Sequence, residues 1–483
     1  MGESRHATPT PDDNTPDARS SDTTDPQARP GARLSTGPAP SGTTRDSPAI
    51  NREILALAVP ALGALVAEPL FVLADSAIVG HLGTAQLAGL SLASNVILTV
   101  VGLCIFLAYT TTAQVARLMG AGRERDALQA GLDGIWLALG LGAVLATTLV
   151  LTADVTVAAL GGTGDVARHA VSYLRWAAPG LAGMLMVNAS TGVLRGLRDT
   201  RTPLVVAAAG AVANLVLNIA LVYGANLGIA GSAIGTMLTQ FGMATALAVI
   251  VVRGARSRGA NLRPHARGIL SGARAGLPLV IRTLSLRAAI LLTVYVATGL
   301  GAVALAAHQV VNSMWGLTAL ALDALAIASQ ALVGHALGAA DVPRVRAILR
   351  RCLHWGVASG AAIGLLMAAG GWFVAPLFTP DDDVRGAIAL AFAVCGLLLP
   401  VAGYVFVLDG VLIGAGDGRY LAWAGLATLV VYVPCALAVH AWAPPGPVGL
   451  AWLWAAFAGA FMAARAVTTG LRARTDRWLV TGA

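Results

Sequence analysis

Lysine is absent from this 483-residue chain, and every one of its 32 basic residues is arginine. A phosphate-binding loop of the form G-x-x-x-x-G-K-[ST] therefore cannot be present, which argues against ATP-driven pumping by this chain. Charge is scarce as well. Only 12% of residues are ionisable Asp, Glu, Lys or Arg, against about 25% in soluble domains. The motifs H-E-x-x-H and G-x-S-x-G are missing, and no lysine is available for a Schiff base, so hydrolytic and imine chemistry have no sequence basis. The four cysteines, Cys104, Cys352, Cys395 and Cys435, lie in apolar runs without metal-ligand spacing and read as small buried hydrophobes.

What the chain has instead is apolar length. Hydrophobic residues make up 57% of it, and the mean hydropathy is +0.74. Residues 1–50 differ from everything after them, being rich in Pro, Thr, Ser, Asp and Gly. They cannot bury a core and read as a disordered cytoplasmic tail. From Ile54 onward, twelve runs are long enough to span a bilayer, which takes about 20 apolar residues. They are approximately 54–79, 86–111, 128–152, 169–194, 202–223, 229–252, 269–299, 303–333, 345–372, 385–413, 420–442 and 448–470. Backbone polar groups in lipid must pair internally, and continuous runs without alternation favour helices over a closed barrel.

The arginines orient these spans. Loops on the side of the N-terminus carry Arg117, Arg123 and Arg125, then Arg195, Arg198 and Arg201, the group Arg253–Arg267, the group Arg344–Arg351, and Arg419. Opposite loops carry only Arg168 and Arg385. Positive residues mark the cytoplasmic side, so both termini are expected there and the number of crossings is even. This placement follows membrane orientation, and nucleic acid is not expected as a partner.

The sequence also repeats at a constant offset of 218 residues. The offset pairs Pro60 with Pro278, Gly83 with Gly301, Gly120 with Gly338, and Gly192-Val193-Leu194 with Gly410-Val411-Leu412. It continues through Gly196, Asp199 and Arg201, matched by Gly414, Asp417 and Arg419, and through Gly228 and Gly231, matched by Gly446 and Gly449. Six helices per repeat restore the same orientation, so the halves are parallel repeats around a central cavity, an arrangement of transporters. The expected layout is an all-α membrane protein. An N-lobe over 51–255 is joined by a cytoplasmic linker (256–268) to a C-lobe over 269–473, and residues 474–483 end the chain in the cytoplasm.

Ionisable groups inside spans are functional candidates. Glu68 and Asp75 stand seven residues apart, nearly two turns, and so share one face of the first helix. Pro69 lies between them and frees a backbone group for a local bend. A carboxylate taken out of water holds its proton more tightly, the property a proton carrier needs. The fifth helix carries Asn214 and Asn218 one turn apart, and the sixth carries Thr236. Such groups often only bond across helices, and they gain interest if they face Asp75. The second half holds Arg282, Arg287, Asp323 and Asp409, two of each sign, expected as a balanced ion-pair network, with His308 nearby as a satisfied core histidine.

The segment Glu68-Pro69-Leu70-Phe71-Val72-Leu73-Ala74-Asp75-Ser76 through Gly83 resembles the first helix of the multidrug and toxic compound extrusion (MATE) family, its DinF-like branch in particular. Leu107–Thr112, Gly192–Gly196, Leu305–Gln309, Leu322–Ala328 and Leu408–Ala415 continue the likeness in order along the chain. The resemblance implies a two-lobed antiporter of a bacterial inner membrane. It would expel organic, often cationic, compounds, with no cofactor beyond a proton gradient or, alternatively, sodium. It matches Asp75 to the family's ion-coupling aspartate, and Asn214, Asn218 and Thr236 to a polar cluster in which Asn218 replaces an acid. That departure disfavours a sodium cage and favours protons. Small organic molecules and membrane lipid are the partners implied, and a lipid or glycolipid flippase is the neighbouring alternative. Two lobes forming one pathway make a monomer sufficient.

Overall fold

The computed structural model describes residues 47–482. Residues 1–46 of the tail read from the sequence fall outside them, and its last four residues, 47–50, are not disordered but helical and open the first span. Long apolar segments become helices wherever backbone groups must pair within lipid. The spans are α1 (Ser47–Gly80), α2 (Thr84–Gly120), α3 (Glu124–Leu151), α4 (Gly164–Ala177 with Gly180–Gly196), α5 (Arg201–Gly224) and α6 (Gly228–Ser257). The second half follows with α7 (Ala266–Gly299), α8 (Ala302–Gly338), α9 (Val342–Leu377), α10 (Asp382–Gly414), α11 (Gly418–Trp442) and α12 (Pro447–Arg474). Eleven cross as single helices, and the two parts of α4 form the twelfth crossing with a 53° bend at the break before Gly180. Every span begins before its apolar run, and all but α3, α7 and α11 also end beyond it, because their polar terminal turns reach beyond the hydrocarbon. Arg117 and Arg195, read as loop residues, accordingly lie in the last turns of α2 and α4.

The 218-residue offset is carried by the turns. Positive φ occurs at Gly83 and Gly301, at Gly122 and Ala340, at Arg198 and Gly416, and at Gly228 and Gly446, each pair separated by that offset. Glycine is the residue that adopts this geometry without strain, so equivalent turns use equivalent backbone. The halves meet reciprocally near one membrane face. A methyl group on Gly120 would stand 1.9 Å from the carbonyl oxygen of His335, and one on Gly338 would stand 1.9 Å from that of Arg117. Arg117 and His335 are themselves repeat mates, as a two-fold relation requires.

Polar links between the halves gather toward this face, the one bearing the start of α1 and the end of α12. Arg344 on α9 forms a forked pair with Glu53, at 2.9 and 3.0 Å. Arg351 and Trp355 both donate to Asn51 Oδ1. Deeper in, Gln330 donates to the Tyr109 carbonyl at 2.7 Å. Among the described residues no hydrogen bond or ion pair joins the halves at the opposite face. The linker is fastened to α3: Gln129 accepts from the Asn261 amide at 2.9 Å, and Trp136 donates to the Leu262 carbonyl at 3.1 Å. Asp133, an in-span carboxylate the sequence reading passed over, accepts from the His265 amide at 3.3 Å.

Candidate functional site

The four polar residues named in the first half converge. Asp75, only 5% exposed, is held by α5 and α6. Its carboxylate accepts hydrogen bonds from Asn218 Nδ2 and, at 3.1 Å, from Thr236 Oγ1. Asn214 donates to Thr236 Oγ1 at 3.1 Å, and Asn218 also reaches Asn214 Oδ1 at 3.3 Å. Two of these bonds end on the carboxylate, and the other two link Asn218 to Asn214 and Asn214 to Thr236. Close backbone approach makes this fit: a methyl group on Gly235 would lie 2.0 Å from Asn218 Oδ1. That oxygen is buried and has no hydrogen-bond partner.

Glu68 faces a different space on the same side of α1. It lines a cavity of about 120 Å³ with Asn188, Thr191, Arg195, Gln240 and Met243. The α6 residues facing Asp75 and this cavity, Thr236, Gln240 and Met243, are spaced as one helical face. The separation of Glu68 from Asp75 therefore divides the site into a closed hydrogen-bonded cluster and an adjoining chamber. Between them on α1, Pro69 lies in an unbroken helix, and its missing N–H leaves the Leu65 carbonyl without its usual partner.

The second-half group assembles differently from the expectation. Asp409 on α10 is clamped by two arginines, Arg282 on α7 at 2.7 Å and Arg465 on α12. Arg465 was not singled out from the sequence, although it lies inside the last apolar run, where the rule for in-span charges would have found it. Its guanidinium also lies over the Phe406 and Phe461 rings, at 5.9 and 5.8 Å from their centroids. Arg287 does not join the network. It is exposed, without an ion pair among the described residues, and its Nη2 comes within 2.8 Å of where a Gly102 side chain would begin. The balance of two and two therefore fails, because Arg465 rather than Arg287 completes the clamp.

Asp323 makes no ion pair within 4.0 Å among the described residues, and instead lines a void of about 20 Å³ with Arg282, Asp409, Gln330 and Tyr109. Tyr109 comes from α2, so this void spans the boundary between the halves. His308 is also separate. It is buried at 2% exposure against Trp454, ring centroids 5.4 Å apart. Neither ring nitrogen has a hydrogen-bond partner, so the expected satisfied core histidine is an unsatisfied one. Arg195, buried at the end of α4, was likewise missed as a cavity residue because its position beside Gly196 and Arg198 reads as a loop.

Comparison with known proteins places this geometry. The MatE family model matches residues 60–220 and 278–437, two segments that begin 218 residues apart. The chain is 30% identical over 455 residues to Protein DETOXIFICATION 44, chloroplastic, of Arabidopsis thaliana, covering 89% of this chain and 84% of that protein. It is 27% identical over 397 residues to DNA damage-inducible protein F of Escherichia coli, covering 78% and 85%. It is also similar to a probable multidrug resistance protein NorM of Thermotoga maritima, 25% identical over 380 residues, covering 77% and 81%. In fold it resembles a single-residue mutant of the Vibrio cholerae MATE transporter VcmN, with a TM-score of 0.81 at 19% identity over 90% of this chain and 99% of that one. A MOP superfamily transporter from Pyrococcus furiosus gives 0.79 at 22% identity, over 89% and 98%. With two matched copies of the family model laid on two six-helix halves, the chain is an integral membrane protein that belongs to the MatE family of multidrug efflux transporters.

Proposed function

We propose that this chain is a proton-coupled antiporter of a bacterial inner membrane, with both termini cytoplasmic, exporting organic and often cationic compounds. The observation that carries this reading is the cluster around Asp75: one carboxylate, two aimed donors, and one idle acceptor beside them. Ionised, Asp75 accepts from Asn218 and Thr236. Protonated, it needs an acceptor, and rotation of the Asn218 amide would offer its unpartnered Oδ1. Both protonation states can thus be satisfied in place, as a group that loads and unloads a proton requires.

In this scheme ionised Asp75 favours the state that takes substrate from the cytoplasm or inner leaflet, with Glu68 in the adjoining chamber attracting a cationic group. Protonation from outside removes the charge, lets α1 bend at Pro69, and releases substrate outward. A potential of 100 mV supplies about 2.3 kcal/mol per charge. At about 1.4 kcal/mol per tenfold ratio, one proton sustains an export gradient of roughly fortyfold. Sodium is less well served, since Asn218 stands where a second acid would complete a charged cage.

A second reading has its own observation. Arg195 lines the chamber and Arg287 is exposed, and neither has an acid within 4.0 Å among the described residues. These two cations favour a substrate carrying an anionic group, including a lipid or glycolipid headgroup. Uphill dye export from proteoliposomes under an imposed proton or sodium gradient tests both readings against Asp75→Asn. Proton-driven export lost in the variant supports the antiporter. A wild-type chain that moves no dye but translocates labelled lipid overturns it in favour of the second reading.

A further inference from the structure

The last described residues do not hang free beside α12; they cross back to the first half. After Thr475 the chain makes one tight turn, Asp476–Trp478, and buries the Trp478 indole to 2% exposure. That indole joins an apolar cluster drawing on both halves, Ile50 and Val115 from the first, Leu337 and Val345 from the second. The chain then runs beneath Arg117, at the end of α2. Arg117 Nη2 donates to the carbonyls of Val480 at 2.6 Å and Gly482 at 2.9 Å, and Nη1 donates to Ala415, just past α10, at 2.9 Å. The Gly482 amide in turn donates to the Leu337 carbonyl, near the end of α8, at 3.0 Å.

One guanidinium therefore binds an α10 end and a strap that is itself tied to α8. These bonds surround the contact at which Gly120 and Gly338 bring the two halves together backbone to backbone. The repeat shows that the arrangement is specific to this end. The stretch equivalent to 475–482 is 257–264, the linker, which is fastened by Gln129 and Trp136 to α3 of its own half. His335, the repeat mate of Arg117, makes no side-chain hydrogen bond among the described residues. Bonds from a charged donor are about twice as strong as neutral ones, and a half-buried Arg117 shields them from water.

We infer that residues 475–482 form a latch that holds the cytoplasmic side of the transporter closed, with Arg117 as its catch. Opening toward the cytoplasm separates α2 from α8 and α10, so the Arg117 bond to Ala415 breaks, and either its bonds to Val480 and Gly482 break or the strap leaves Leu337. The latch makes the closed-inside state the resting one. Release of the strap becomes a step in each turnover.

The inference rests on the alternating-access reading above, and its test needs neither substrate nor gradient. Spin labels at Arg125→Cys on α3 and Arg350→Cys on α9, both exposed positions, report the separation of the halves by pulsed electron resonance. The half-buried Cys435 is replaced by alanine. In the full chain one short distance is expected. Ending the chain after Arg474 should raise the long-distance population roughly tenfold, equivalent to about 1.4 kcal/mol. Arg117→Gln, which keeps the whole chain, should do the same. Combining the two should add little, because both act through one set of bonds.

Unchanged distances in both variants overturn the latch. So does a shift in Arg117→Gln alone, which would assign the effect to Ala415. A chain that shows the distance shift yet exports nothing keeps the latch and counts against the transport reading only.

Discussion

The two halves share their turns and differ in what they bury. Adding 218 to the first-half cluster gives Thr293 for Asp75, Tyr432 for Asn214, Ala436 for Asn218 and Trp454 for Thr236. In the second half one side-chain hydrogen bond links these positions, between Thr293 Oγ1 and Tyr432 Oη at 2.6 Å, with Thr293 also donating to the Ala289 carbonyl at 2.8 Å, inside an aromatic cluster with Phe457, Phe461 and Trp315. Conversely, the second-half clamp of Arg282, Asp409 and Arg465 falls on Ala64, Thr191 and Leu247 in the first. The first-half cluster thus sets one carboxylate, Asp75, among neutral donors, free to change protonation. The second-half clamp sets Asp409 between two permanent cations, where protonation would strand both. One cluster can titrate and the other is fixed.

Exchanging the charge between halves should have the largest effect. Asp75→Asn should lower proton-driven export by at least about 100-fold, a scale at which coupling is lost rather than slowed (two tenfold steps, about 2.8 kcal/mol). Adding Thr293→Asp should restore none of it. The new carboxylate would have Ala436 and Trp454 where Asp75 has the aimed donors Asn218 and Thr236, and export assays on the double variant check this directly.

Next is the clamp. Asp409→Asn leaves two buried arginines without their acid, and removing one member of a buried ion pair costs about 3–5 kcal/mol. A marked fall in melting temperature in detergent is expected. Replacing Arg282, Asp409 and Arg465 together by Met, Leu and Met should recover most of it. If the single and triple variants melt alike, the clamp is not what fixes this half.

Smaller still is Gly235→Ala. Its methyl would displace the Asn218 amide from Asp75, so export should fall roughly tenfold and the melting temperature should drop by a few degrees, as expected for the loss of one hydrogen bond to a charged group, about 1.5–3 kcal/mol. The smallest change is His308→Phe. Both ring nitrogens are already unpartnered in an aromatic pocket, so the substitution should leave stability within about 1 kcal/mol or raise it. A clear loss would mean that His308 has a partner in another state of the cycle.

Much of this was legible in the sequence, for physical reasons that also mark the limits. Spans follow from the solvent, since lipid leaves the backbone few options, and Gly83, Gly228, Gly301 and Gly446 recur because left-handed turns demand them. Asp75 could be named because an acid in an apolar helix is costly, whereas Asn214, Asn218 and Thr236 are joined to it in the sequence only through the likeness to a family cluster. Which helices face each other decides the rest, and periodicity in a uniformly apolar span does not encode it. Arg287 and Arg465 look alike in the sequence; α10 puts Asp409 before one and not the other. His308 reads as a satisfied core histidine, yet it packs against Trp454 with neither ring nitrogen partnered. Arg195 carries the signature of a loop and ends as a wall of the chamber.

The glycine contact between α2 and α8 has a mechanical meaning. Two backbones that touch with no side chains between them can roll on one another but have little room to slide, which is how a fulcrum behaves. The 37 residues of α8 make a lever, about 55 Å long at 1.5 Å per residue. Pivoted at its Gly338 end, a rotation of roughly 10° would carry the far end through about 10 Å, the diameter of a helix. A contact two glycines wide at one face thus sets the width of the doorway at the other, and any side chain wedged there would change the leverage before it changed the chemistry.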